Sequence, residues 1–491
     1  MIQSNIKTSA GRRTSQALRT LYVISVFLPV LEFGAVRLFP LTIATMFSVG
    51  VALLSLVIFG SPKRARSLFL TFLLLGLATF SWVWMQTFQF LPSSTINELW
   101  NDLPMASVAA RGSISIVPAD SIATLLFVAL PLLSFLTGLL VIRTDGDARM
   151  VINSLGVGGA LCAIYGLIQF SFFPTTNLFF QKDSYLDSLT ATFVNRNTAG
   201  TFLGIVTLIT LRFAWSYGRK ISVGRIIKRR FQNRNVDSAG LGTFLVSVSC
   251  AASAAMALML TKSRGATASS LLALGVMLYL TLEDQNADGK SGFSRPRTSR
   301  KGVIRFIIVA FVLIVCFSIF GGRAILRAEI QGGDDGRYCV LPGIIDLARG
   351  EPIFGYGFGS FLYAFPPFRD PACGIINVWD RAHNVFLEGY IGLGVLFPAL
   401  VLVGGGSLIA AHIIGLRERR RMRSYAVVGL AVIVLVGLHS LVDFSIQIPG
   451  MATYAASLLA ATSSICLAKT SRASTQRARE PLPTETQAMT I

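Results

Sequence analysis

The stretch DRAHNVFLEGYIGLGVLF, residues 380–397, places polar groups directly before an apolar run of helical character. Arg381, His383 and Asn384 come first, and Glu388 follows one turn into the run. Read on to about residue 412, the segment is long enough to cross a hydrocarbon core of roughly 30 Å. Polar residues commonly mark the water boundary of such a span. They are also the residue types that bind anions and move protons, so this boundary is the first place to look for chemistry.

Similar apolar runs recur along the chain. Of its 491 residues, 53% are hydrophobic and only 14% charged, where a soluble domain carries about a quarter charged. Twelve spans are expected, near 20–39, 41–60, 67–88, 120–142, 149–172, 197–216, 240–261, 265–282, 303–320, 384–412, 425–443 and 448–467. The expected fold class is thus an all-α polytopic membrane protein of about twelve transmembrane helices. Residues 1–19 and 468–491 read as cytoplasmic tails, the second polar and expected to be disordered. The first apolar run leads into another span rather than a cleavage site, so no cleavable signal peptide is expected.

Charge sets the orientation. With both termini cytoplasmic, 32 of the 44 Lys and Arg but only 9 of the 24 Asp and Glu fall on the inner side. This is the positive-inside bias, and it accounts for the net charge of +20. A nucleic-acid partner is not implied, because these cations anchor loops and form no aromatic-interleaved face. No G-x-x-x-x-G-K-[ST] motif occurs, so ATP hydrolysis is not expected.

On the outer side the longest loop runs from about 321 to 383. Within it Val340, Leu341, Ile344, Ile345 and Ala348 recur at helical spacing and form one apolar stripe. Pro342 suits a first helical turn. Gly355, Gly357 and Gly359 then break the pattern and are free to take positive φ. A short helix at the membrane boundary, a tight turn and a descent into the bilayer are expected, and a long loop of this kind commonly covers an active site. Cys339 and Cys373 both lie in this loop and can pair in an oxidising periplasm. Cys162, Cys250, Cys316 and Cys466 fall within spans and read as small packed residues. No spacing resembles a zinc site.

Several polar residues from distant parts of the chain fall at the same outer depth. Asn195, Arg196 and Asn197 open the sixth span, and Lys262 and Arg264 lie in the short turn before the eighth. Arg337 starts the loop helix. Arg381, His383, Asn384 and Glu388 begin the tenth span, and His439 and Asp443 end the eleventh. Arginines outside run against the general bias, and their fork matches phosphate oxygens. Lys262 is the lesser candidate. An imidazole can accept a proton at neutral pH, which makes His383 the candidate base. Glu388 is expected to bond backbone or Asn384 rather than orient His383. His439 and Asp443 stand four apart, so a carboxylate can orient that imidazole, and His439 is the rival base. His412 falls at the inner end of its span and reads as structural.

SYLDSLTATFVNRNTAGTFL, MLTKSRGATASSLLAL, GRYCVLPGIIDLARGEPIFGYGFGSF and RAHNVFLEGYIGLGVLF, in this order between apolar spans, resemble the O-antigen ligase and polymerase family. The resemblance covers roughly residues 150–465, and its most specific element is AHN-x-x-L-E. It implies a bacterial inner-membrane glycosyltransferase of the GT-C type. Such enzymes move a glycan from undecaprenyl pyrophosphate to an acceptor hydroxyl on the periplasmic side, without metal, nucleotide or other cofactor. Carried over by motif, Arg264 and Arg337 would bind pyrophosphate with Arg196 as a third cation, and His383 would serve the acceptor. Where the family often has Trp after the loop arginine, this chain has Leu341 and Pro342.

The acceptor implied is a lipid A core sugar, which makes a ligase, or the growing polysaccharide, which makes an O-antigen or exopolysaccharide polymerase. Inversion at the anomeric carbon is expected, because no second carboxylate stands ready as nucleophile. A secondary transporter also commonly has twelve spans. It would require ionisable groups near the bilayer midplane and two similar halves, whereas here the polar groups gather at one boundary. A scaffold for polysaccharide export is the remaining alternative.

Overall fold

The computed structural model describes residues 2–90, 92–100, 112–219, 238–284, 336–373 and 378–468. Eight long helices come first. They are α1 (Ile2–Leu31), α2 (Leu38–Phe59), α3 (Arg66–Gln86), α4 (Pro118–Val141), α5 (Asp145–Phe172), α6 (Arg196–Gly218), α7 (Ser238–Leu260) and α8 (Arg264–Asp284). The loop contributes α9 (Gly336–Gly350), the single turn α10 (Phe361–Ala364) and α11 (Val385–Leu393). The chain returns through α12 (Leu396–Glu418), α13 (Arg423–His439) and α14 (Pro449–Cys466). A two-residue antiparallel ladder, β1 (Thr176–Asn177) with β2 (Phe180–Gln181), folds the loop after α5.

Ten of these helices are long and apolar enough to cross a membrane, α1 doing so over Arg13–Leu31. The expected ninth span, with Cys316, lies outside the described residues, as does the C-terminal tail. The chain is an all-α polytopic membrane protein. Large apolar side chains cover its outside, Phe39, Met46 and Val57 of α2 being 77%, 70% and 83% exposed. In water such a surface would be unstable, whereas in lipid it is the expected coat.

α14 is the central helix, packed against α1, α4, α5, α6, α12 and α13. It is rich in Ser, Thr and Ala because it meets protein rather than lipid, and small residues let neighbouring helices approach. Ser457 bonds Ser134 of α4 across the interface at 2.8 Å, and the Tyr454 hydroxyl donates to the Leu155 carbonyl of α5 at 2.8 Å. At one end of the bundle, Asp145 takes both Arg64 and Arg419, and Asp147 takes Arg19 at 3.1 Å. Thr144 and Asp147 also form a capping box that starts α5. The other end carries the loops after α1, α3, α5, α7, α11 and α13, and is called the loop end below.

The first helix reaches back to Ile2, so the helix of the first span runs on through the N-terminal segment. Two expectations are corrected. Pro342 lies inside α9, which starts at Gly336, and not in its first turn. The tenth span does not begin at residue 384. α11 ends at Gly394 with φ +57°, and the span is α12. A Cβ on Gly394 would lie 2.1 Å from the Ile353 carbonyl oxygen, so the loop backbone occupies the room a continuous helix would need.

Gly394→Ala is therefore expected to lose about 1–3 kcal/mol through left-handed strain, and more through the clash. Gly405→Ala meets nothing within 4 Å and should leave the melting temperature unchanged or slightly raised. Thermal unfolding of both variants in the same detergent checks this.

Candidate functional site at the loop end

The long loop is built into the bundle. Val340, Ile344, Leu347 and Ala348 form the buried stripe of α9 and pack with Phe361, Phe365 and Ile391. Leu341 and Ile345, expected in that stripe, lie half-buried beside it. Gly355, Gly357 and Gly359 all take positive φ, and the segment they shape runs between two backbones. Tyr356 donates to the Ile391 carbonyl at 2.8 Å and accepts from the Ile116 amide at 3.0 Å. Below it, the fully buried Gln86 at the end of α3 donates to the carbonyls of Phe354 at 2.6 Å and Gly392 at 2.8 Å. Cys339 of α9 is joined to Cys373, with Cα atoms 5.6 Å apart.

This frame holds the turn that carries His383. Glu388, 9% exposed, accepts the Ala382 amide at 2.8 Å and the Arg381 guanidinium at 3.0 Å. It bonds backbone, as its position suggests, while Asn384 caps α11 by accepting the Phe386 and Leu387 amides at 2.9 and 3.1 Å. Arg381 also reaches Gln447 at 3.3 Å. His383 itself has φ +51°, uncommon for a residue with a side chain. Its ring stands edge-on between Trp379 and Phe444, at centroid distances of 5.7 and 5.1 Å.

The His383 Nδ1 is buried and receives no hydrogen bond among the described residues. It faces Asp443 Oδ2 at 3.8 Å. Asp443, 1% exposed, accepts from Asn197 Nδ2 at 2.6 Å and from the Ser445 hydroxyl at 2.6 Å. The four-residue spacing of His439 and Asp443 is not a helical one, because α13 ends at His439. His439 Nδ1 pairs with the Thr201 hydroxyl at 2.6 Å, and its side chain is 2% exposed. A Cβ on Gly265 would lie 3.1 Å from the His439 Nε2, which brings the start of α8 against this imidazole. His412 is fully buried and bonds Leu408 and Thr462.

The cations gather beside this cluster. Asn195 caps α6 by accepting the Asn197 and Thr198 amides. Arg196 then lies over the Tyr185 ring at 5.4 Å. Lys262 pairs with Asp187 at 2.9 Å. The bonds from Lys262 and Ser188 hold the Asp187 carboxyl below the usual carboxylate range, with a further contribution from Arg196. Lys262 takes φ +54° in the turn before α8, and Arg264, exposed, is the first residue of that helix. Arg337 is in the first turn of α9, and its side chain lies outside the described part. Thr201, Ser445, Gln86, Gln447 and the aromatic pair around His383 were not singled out from sequence. Ser445 and Gln86 carried a signal, as polar side chains at the ends of apolar spans.

Starts of α6, α8 and α11 and the end of α13 thus meet around two imidazoles and a buried carboxylate, in a multi-pass helical membrane protein. Residues 249–402 match the family model described as O-antigen ligase. No curated protein matches the chain.

The Cys339–Cys373 bond closes a loop with a sequence separation of 34 residues, worth about 3–4 kcal/mol on the chain-entropy view. Reductant should lower the melting temperature of the native protein. The double variant Cys339→Ser/Cys373→Ser should start at the lower value and not respond to reductant.

Proposed function

We propose that the chain is a periplasm-facing glycosyltransferase of the inner membrane. It moves a glycan from undecaprenyl pyrophosphate to an acceptor hydroxyl, with His383 as general base. The observation that carries this reading is the pairing of His383 with buried Asp443 at the point where α6, α8, α11 and α13 meet. The Nδ1 edge faces the carboxylate, which leaves Nε2 for the acceptor. A separation of 3.8 Å is longer than a hydrogen bond, and such contacts commonly tighten when substrate binds.

In the reaction the acceptor oxygen attacks the anomeric carbon and its proton passes to Nε2. The bond from that carbon to the pyrophosphate oxygen breaks, and its electron pair leaves with the pyrophosphate. Asp443 stabilises the imidazolium that forms. Arg264, Arg196 and Arg337 hold the growing negative charge, the kind of electrostatic stabilisation that is usually the largest single term. His439 is less suited as base, because it is buried and already bonded to Thr201. Inversion follows from direct displacement, since Asp443 is engaged by Asn197 and Ser445 and is not presented as a nucleophile.

Either a lipid A core sugar or the end of a growing glycan can supply the acceptor hydroxyl. Purified protein given undecaprenyl-pyrophosphate glycan and each acceptor in turn separates ligase from polymerase by product. His383→Ala should lower turnover by about 10²–10⁴-fold, and Arg264→Ala by about 10²–10³-fold, both with unchanged membrane insertion. Asp443→Asn should turn over more slowly than wild type, because the imidazolium formed in the step loses the carboxylate that faces it. Full activity in His383→Ala would remove this assignment and move the base to His439.

A further inference from the structure

At the end of the bundle away from the loops, a groove of about 460 Å³ lies between α6 and α7. Leu211, Ala214, Trp215 and Gly218 recur at i, i+3, i+4 and i+7, so one face of α6 forms its floor. Phe244 of α7 forms its wall. A Cβ on Gly218 would lie 2.9 Å from the Phe244 ring, so the two helices meet ring against backbone here. Leu245 and Val246, the next residues of α7, are exposed on a helix long and apolar enough to cross a membrane. The groove therefore opens toward lipid.

Its rim is cationic. Arg219, exposed, follows the end of α6 and makes no ion pair among the described residues. No carboxylate lines the groove among those residues. Arg212 lies two turns deeper on the same side of α6. It is buried, stands 3.4 Å over the Tyr425 ring and donates to the Ser424 hydroxyl at 3.2 Å. Among the described residues no carboxylate pairs with it, and neutral partners leave a buried charge uncompensated. Residues 219–235 add seven Lys and Arg and no Asp or Glu. Trp215, one turn before Arg219, is the residue type that collects where a span leaves the hydrocarbon. An apolar floor below a cationic rim fits a molecule with a hydrocarbon tail and an anionic head. A zwitterionic head brings its own cation to the rim, and a free phosphate leaves the floor unused.

We propose that this groove binds an anionic phospholipid of the leaflet away from the loop end, the cytoplasmic one on the charge bias. An acyl chain lies along Leu211, Ala214 and Trp215 against Phe244, and the phosphate lies on Arg219. From Asn197 to Arg219 the length of α6 is roughly 33 Å at 1.5 Å rise per residue. The groove is thus separate from the candidate site, and the proposal does not depend on the transferase reading.

Trp215 serves as reporter. The full chain in a neutral detergent is titrated with phosphatidylglycerol or phosphatidylcholine bearing brominated acyl chains, which quench an indole on contact. The quenching lost in Trp215→Phe is the share that belongs to the groove. Phosphatidylglycerol should produce that share with at least tenfold higher affinity than phosphatidylcholine, and added salt should narrow the gap. Unbrominated phosphatidylglycerol should relieve it, whereas glycerol phosphate at the same concentration should not. Arg219→Glu, a change at an exposed position, should weaken phosphatidylglycerol about tenfold and leave phosphatidylcholine unchanged. Ala214→Phe, which fills the floor, should weaken both lipids. Equal affinity for the two lipids means ordinary bilayer contact only, and relief by glycerol phosphate means a headgroup site only. Either result, or unchanged phosphatidylglycerol affinity in Arg219→Glu or in Ala214→Phe, would overturn the assignment.

Discussion

A carboxylate buried as deeply as that of Asp443 cannot stand alone. Removing a charge from water costs several kcal/mol unless donors replace the lost hydration. Here the donors come from elsewhere in the chain. Asn197 reaches in from the first turn of α6 and Ser445 from the turn after α13, each at 2.6 Å. The requirement to satisfy one anion therefore fixes how α6 and α13 meet. It also fixes what His383 faces, since Asp443 Oδ2 lies 3.8 Å from its Nδ1. The left-handed φ of His383 is tolerated because its neighbours are held. Ala382 and Arg381 are gripped by Glu388, and Asn384 is committed to capping α11. Backbone strain that survives in such a place is commonly tied to function.

The same economy governs the loop. A segment that passes over a bundle must satisfy its own amides and carbonyls. The stretch from Ile353 to Gly359 does so against the broken end of α11, the strand-like approach at Ile116 and the Gln86 amide. Three glycines at positive φ make that approach possible, and Gly357 passes so close to Ser115 that a Cβ would lie 2.2 Å from its hydroxyl. The break at Gly394 belongs to this arrangement. A straight tenth helix would expel the loop, and Glu388 with it, from the position that anchors the His383 turn.

Much of this was legible in the chain. Apolar runs of sufficient length identified ten of the twelve expected spans among the described residues, α14 not being one of them, because hydrocarbon thickness dictates helix length. Polar residues at one depth pointed to the loop end, and the structure brings Asn197, Gly265, His383, His439 and Asp443 together there. The apolar stripe of α9 and the freedom of Gly355, Gly357 and Gly359 were also visible as patterns. What sequence could not give were pairings across the bundle. Periodicity assumes a continuous helix, so it joined α11 to α12 and placed His439 and Asp443 on one face. Gly394 and Ser440 end those helices through contacts with Ile353 and with the turn at Val385, and such contacts have no local signature. The anchoring of Gln86 on Phe354 and Gly392, across more than half the chain, is unreadable for the same reason.

On the transferase reading, the two sides of the loop-end site carry opposite charge, as a two-substrate transfer would need. On the α6 and α8 side lie Arg196, Lys262 and Arg264, with Asp187 moderating them. On the α4 and α11 side lie Asp120, Asp380 and Glu388, with Arg381 moderating those. An anionic leaving group and a hydroxyl nucleophile need opposite surroundings. The first is stabilised by cations as its charge grows, whereas the second is made more reactive when its proton is drawn toward a base. A single uniformly basic pocket would serve the first and hinder the second, since cations oppose protonation of the imidazole. Placing the buried Asp443 behind His383 offsets the nearby cations. On the transferase reading it keeps the base able to accept a proton while the opposite wall holds pyrophosphate.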